Sequence, residues 1–243
     1  MCVTQQKGPA GRGCWNAAKC AFTLMELLVV VGIIGILVAL LLPALLQAKR
    51  RSQQLHCISN LHQFGIGIQN FLANNHAYPS FFAGNESDNP GTWSRQLEVG
   101  GFDISKPKLG FINKDVWRCP SARLKQTNSQ CYGYNTFGTL FPGDWNRALG
   151  LAGHYSSSSG LQVPILESEV VAPSDMMAMG DSDSMDFMRN EAFAFSGYPP
   201  HDRRANVVFC DGHVESPTLQ FLFDDTSDAA LIRWNRDHQP HLN

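Results

Sequence analysis

Residues 27–46 read LLVVVGIIGILVALLLPALL, twenty positions without a charge or a strongly hydrogen-bonding side chain. At about 1.5 Å per residue such a helix is roughly 30 Å long, the thickness of a bilayer's hydrocarbon layer. A secretory signal peptide normally carries an apolar region of only about 7–15 residues. Here the run is longer, and Gln47, Ala48, Lys49, Arg50 and Arg51 after it offer no A-x-A cleavage site. A buried core helix would be shorter and would show polar residues on one face. The run therefore predicts a membrane span. Residues 1–21 before it hold Lys7, Arg12 and Lys19 and no acid. Lys49, Arg50 and Arg51 balance them on the far side, so the positive-inside rule does not choose an orientation.

Composition excludes several classes. Among 243 residues, 19 basic and 21 acidic side chains leave a formal charge of -2, without the basic excess of a nucleic-acid binder. A mean hydropathy of -0.16 excludes a multi-span membrane protein, and a 44% hydrophobic content excludes a disordered one.

The mouth of the span reads Lys19-Cys20-Ala21-Phe22-Thr23-Leu24-Met25-Glu26-Leu27-Leu28. A carboxylate at the head of a membrane helix costs on the order of 2.5–3.5 kcal/mol, so Glu26 needs a reason. The helix dipole favours negative charge in the first turns and supplies part of it. Snorkelling to the headgroups is the plain alternative. This segment resembles the processing site of type IV prepilins and type II secretion pseudopilins, in which a basic leader and a small residue precede Phe-Thr-Leu-x-Glu-Leu. The resemblance implies cleavage by a prepilin peptidase between Ala21 and Phe22, followed by methylation of Phe22. It further implies an assembly role for Phe22, Glu26 and Pro43: Glu26 meets the new ammonium of a neighbouring subunit, and Pro43 falls where many pilins carry a helix-loosening proline. Ala21 stands where the family usually has Gly.

Past the basic patch, Leu55, Ile58, Leu61, Phe64, Ile68, Phe71 and Leu72 recur at helical spacing, with Gln53, Asn60, Gln63 and Asn70 opposite. Gly65 and Gly67 weaken the stretch, and Asn74, Asn75 and Pro79 mark its end. One helix from Phe22 to about His76 would be roughly 80 Å long; two helices broken at Pro43 are the alternative. The organisation expected is a leader at 1–21, a transmembrane helix at 22–46, its amphipathic continuation at 47–76 and an α+β head at 77–243. Within the head, a short helix is expected over 92–98 and β-prone runs at 115–118, 131–135, 176–179 and 206–210.

Four cysteines remain after the leader: Cys57, Cys119, Cys131 and Cys210. Cys119 and Cys131 bracket a short polar loop whose closure is worth about 3 kcal/mol in the chain-entropy model. That bridge is expected, with Cys57 and Cys210 as buried free thiols. No C-x-x-C pair seeds a zinc site.

Near the carboxy terminus, residues 201–215 read HDRRANVVFCDGHVE. Asp211-Gly212 suits a two-residue hairpin turn, with Val214 opening the return strand. The spacing of His201, Asp211 and Gly212 resembles the H-x9-DG element of a family of pilin-like proteins that carry the same amino-terminal site. Cys119-Pro120-Ser121, Tyr132-Gly133-Tyr134-Asn135 and Met179-Gly180-Asp181-Ser182 agree with that resemblance. His201, Asp211 and His213 are weak metal candidates, because neighbouring strand residues face opposite ways. Asp181, Asp183 and Asp186 resemble part of a calcium loop but lack its Gly and closing Glu, so a solvated acidic turn is expected. No resident cofactor is expected, though calcium or zinc is chemically conceivable.

No nucleophile elbow, H-E-x-x-H helix or Walker loop is present, so no enzymatic role is expected. The expectation is a single-pass inner-membrane subunit, its amino terminus cytoplasmic before processing and its head in the periplasm or outside the cell. Its partners would be the prepilin peptidase, other pilin-like subunits and membrane lipid, with no nucleic acid. A monomeric anchored protein binding a ligand or polysaccharide through its head is the rival from another class.

Overall fold

The computed structural model describes residues 23–83, 91–110, 112, 115–121, 131–139, 147–155, 162–182, 187, 189 and 201–241. The chain forms two compact units, residues 1–47 and 48–243. Helix α1, Leu24–Asn75, carries residues of both and runs through Pro43. Within the first unit the helix is apolar on every side, and Leu28, Val31, Ile36, Leu40 and Leu45 are each more than half exposed. A helix that is hydrophobic all round suits a membrane or a bundle of its own kind rather than one side of a soluble core.

Within the second unit, α1 has one buried face. Cys57, Leu61, Phe64, Ile68, Phe71 and Leu72 follow helical spacing and are buried. The face lies slightly round the helix from the stripe expected. Leu55 is 55% exposed, whereas Asn60, expected among the polar residues, is 2% exposed. Asn60 is tolerated there because its amide donates to Arg118 O at 2.9 Å and to the Tyr132 hydroxyl at 3.2 Å.

This face packs on a four-stranded antiparallel sheet of order β3-β6-β7-β8, formed by Tyr132–Tyr134, Met177–Asp181, Val207–Phe209 and Val214–Glu215. The labels follow chain order, with β1 (Phe82–Ala83) pairing β2 (Gly91–Thr92) and β4 (His154–Tyr155) pairing β5 (Gln162–Val163). Side chains alternate across β7: Val208 faces the α1 cluster, while Val207 and Phe209 join Phe187, Leu222 and Trp234 on the opposite face. The sheet is thus a middle layer. Asn135 ties its rear, donating to Met177 O at 2.7 Å and Trp234 O at 2.9 Å.

The α+β class expected is the class observed, and α2 (Trp93–Val99) and three of the four β-prone runs fall where expected. Residues 115–117 form a turn instead, closed by Arg118 N–H donating to Asp115 O. The hairpin differs in its loop. With Val208 opposite Val214 and Phe209 N–H donating to His213 O, three residues, Cys210, Asp211 and Gly212, make the connection. Gly212, at φ +94°, takes the left-handed position that closes such loops.

The disulfide is a correction. Cys57 on α1 joins Cys119, across 62 positions of sequence, while Cys131 and Cys210 are buried and outside this disulfide. Sequence proximity favoured Cys131, but that residue leads into β3, and the helix face carries Cys57 to Cys119 instead. In the chain-entropy model a loop of this size is worth about 4 kcal/mol. Peptide mapping without reduction should recover Cys57 linked to Cys119, with Cys131 and Cys210 alkylated only after denaturation; a Cys119–Cys131 peptide would refute the pairing.

The helix also meets the hairpin backbone to backbone. A Cβ at Gly65 would stand 2.7 Å from Gly212 O and 3.1 Å from Val208 Cγ2, closer than atoms can pack. Gln69 clamps the same loop, donating to Cys210 O at 2.6 Å. An exposed helical Gly→Ala change gains about 1 kcal/mol. Gly65→Ala should instead destabilise the folded head by about 1–3 kcal/mol in urea unfolding of the full chain in detergent, from overpacking against rigid backbone.

Candidate functional site: helix start and carboxy-terminal hairpin

Of the processing residues expected, Ala21 and Phe22 lie outside the described residues. Thr23 and Glu26 are described, and they form a reciprocal capping box. Glu26 N–H donates to Thr23 Oγ1 at 3.2 Å, while Thr23 N–H and its hydroxyl donate to Glu26 Oε2 at 3.0 and 2.7 Å. Two of the amide donors orphaned at a helix start are thereby satisfied. Thr23 is a functional residue that the sequence reading passed over; the T-x-x-E spacing was its signal. Glu26 therefore has a structural role beside any ionic one.

The second group of residues gathers at the carboxy-terminal element. Gly133 pairs with Gly180 across β3 and β6, so the Tyr-Gly-Tyr-Asn and Met-Gly-Asp-Ser segments are neighbouring strands. Gly180 is required there: a Cβ would lie 2.5 Å from the Phe187 ring. At the end of β6, Asp181 is buried and accepts from Asn206 N–H at 2.7 Å and from Asn206 Nδ2 at 2.9 Å. The solvated acidic turn expected at this residue is thus not what forms; Asp183 and Asp186 lie outside the described residues.

His201 faces the same place. Its side chain is 1% exposed, and Nε2 lies 3.4 Å from Asp181 Oδ2 and 3.4 Å from Cys119 Sγ. His201, Asp202 and Arg203 all have left-handed backbone, at φ +58°, +53° and +64°. Each such residue costs about 1–2 kcal/mol, and a run of three turns the imidazole inward. Asp211 and His213, by contrast, pair with each other at 2.6 Å on the exposed hairpin. The three weak metal candidates therefore divide between two places, and His201 stands with Asp181, Cys57 and Cys119 instead.

Burial lifts the Asp181 carboxyl to about 7 against the pull of its Asn206 hydrogen bonds. It lowers the His201 imidazole to about 4, against the attraction of Asp202. Between about pH 4 and 6.5 the folded pair holds one proton, on Asp181, while the unfolded chain also holds one, on His201. The proton counts match, so the intact pair contributes almost no slope of stability with pH in that window.

Residues 16–42 match the family model described as the prokaryotic N-terminal methylation motif. No curated protein and no solved structure matches the chain. The match covers the amino-terminal motif alone, and the apolar helix that follows fits a single-pass membrane anchor.

Breaking the proton balance should expose it. His201→Leu leaves a raised carboxyl, so stability should fall as pH rises from 4 to 7; Asp181→Asn leaves a lowered imidazole, so stability should fall as pH drops below 6.5. Thermal unfolding of the oxidised full chain across that range checks both signs, and parallel slopes in the two variants would contradict the pairing. The capped helix start thus lies within an N-terminal methylation motif, the part of the chain that is similar to known proteins.

Proposed function

We propose that the chain is a filament subunit of a type IV pilus or type II secretion pseudopilus. It inserts in the inner membrane, is cut between Ala21 and Phe22, is methylated at Phe22, and assembles through the first part of α1 with its head in the periplasm or outside the cell. The observation that carries this reading is an apolar helix exposed on all sides in its own chain, with a lone acid in its first turn. Side-by-side packing with identical or related helices covers those faces once the subunit leaves lipid. The Phe22 ammonium of a neighbour then compensates the Glu26 charge, which a low-dielectric bundle would otherwise leave costly.

The capping box gives a clean test. Glu26→Gln keeps an acceptor for Thr23 and so keeps the helix start, but removes the charge. Mass spectrometry of native material should find methylated Phe22 as the first residue in wild type and variant alike. Cross-linked multimers should fall at least tenfold in Glu26→Gln. Full assembly of that variant would reduce Glu26 to a capping residue. An intact Met1 with monomers only would favour the anchored ligand-binding rival.

A further inference from the structure

We propose that Cys57, Cys119, His201 and Asp181 form a zinc site in the reduced protein, and that the disulfide and the metal are alternative occupants of one place. The donor atoms of Cys57, Cys119 and His201 all lie within 4.8 Å of one another. Asp181 Oδ2 adds a fourth, 3.4 Å from His201 Nε2. Two thiolates, an imidazole and a carboxylate make a donor set suited to Zn2+.

Distances decide the fit. With Zn–N and Zn–O near 2.0–2.1 Å and Zn–S near 2.3 Å, tetrahedral geometry sets N and O about 3.4 Å apart and N and S about 3.6 Å apart. His201 Nε2 is already 3.4 Å from Asp181 Oδ2 and 3.4 Å from Cys119 Sγ. The two sulfurs must part, to about 3.8 Å in the same geometry, and Asp181, which stands outside the cluster of three donors, must close on them. The two cysteine Cα atoms, 5.2 Å apart, allow the parting by side-chain rotation.

Two features of the site leave donor capacity for a metal once the bond is reduced. Nε2 stands at the outer limit of hydrogen bonding from both the carboxylate and the sulfur. Asp181 Oδ1 has no hydrogen-bond partner among the described residues, although buried carboxylate oxygens are ordinarily satisfied. The second shell is in place, since Asn206 holds Asp181 Oδ2 through two donors.

The chemistry balances. A dithiol reductant passes two electrons and two protons to the Cys57–Cys119 bond and closes to its own disulfide; Zn2+ then displaces to solvent the two thiol protons, and the Asp181 proton where the carboxyl is neutral, and binds both sulfurs. In the reverse direction a disulfide oxidant takes two electrons from the thiolates and two protons from solvent to become a dithiol, the sulfur–sulfur bond reforms, and Zn2+ leaves. Of the two other cysteines, Cys210 is no competitor: burial pushes its thiol up to about 12.

The test uses the full chain in detergent, reduced anaerobically with a phosphine and titrated with Co2+ and then Zn2+. One equivalent of Co2+ should give thiolate charge-transfer and tetrahedral d–d bands, abolished by one equivalent of Zn2+, while the oxidised protein gives neither. His201→Gln and Asp181→Asn should each weaken Zn2+ at least tenfold in chelator competition, yet still form the Cys57–Cys119 bridge on reoxidation. Cys131→Ser should bind as wild type does. Absence of the bands in reduced wild type, for whatever reason, overturns the proposal. So does binding unchanged by both ligand variants, or binding lost in Cys131→Ser.

Discussion

The head depends on a place where two backbones touch. Gly65 of α1 meets Gly212 of the hairpin with no room for a Cβ on the helix side, and this contact limits how high and at what rotation the helix can sit on the sheet. Once it is set, Phe64 reaches Trp117 and Tyr132 at ring separations of 4.6 and 5.3 Å, and Asn60 reaches the Tyr132 hydroxyl. Gln69 and the Cys57–Cys119 bond hold the contact from either side along the helix. Close packing of aromatic rings demands such a reference, because a core at crystal-like density absorbs little misplacement.

Hydrophobic period was the signal that carried best. The bounds of α1, the position of α2 and the strands at 132–134, 177–181 and 207–209 all follow from runs of apolar residues and the turn residues between them. What the letters concealed was burial of polar groups by tertiary partners. Asn60 and Asp181 read as solvated, and His201 was grouped with Asp211 and His213, because their partners, Arg118 O, Asn206 and Cys119, lie far away in sequence. The cysteine pairing failed for a related reason: loop-closure reasoning weighs separation along the chain, whereas the bond was decided by which helix face is covered. Cys57 stands four positions before Leu61 and seven before Phe64, in step with the buried face, and that regularity was legible.

The residues that resemblance grouped at the carboxy terminus prove to have different tasks. Asp211 and Gly212 shape a loop that touches the helix. His201 serves the buried polar pocket with Asp181, and its strained backbone is the cost of turning an imidazole inward from a surface turn. A nine-residue spacer is thus the length of one strand together with the approach that carries the histidine past the sheet's end.

The bond between Cys57 and Cys119 has a mechanical consequence. A pull applied to the backbone before Cys57 and after Cys119 passes covalently through the sulfur bridge, so residues 58–118 cannot be drawn out into extended chain until the bond is reduced. The last turns of α1, the small β1–β2 hairpin and α2 all lie inside that closed loop.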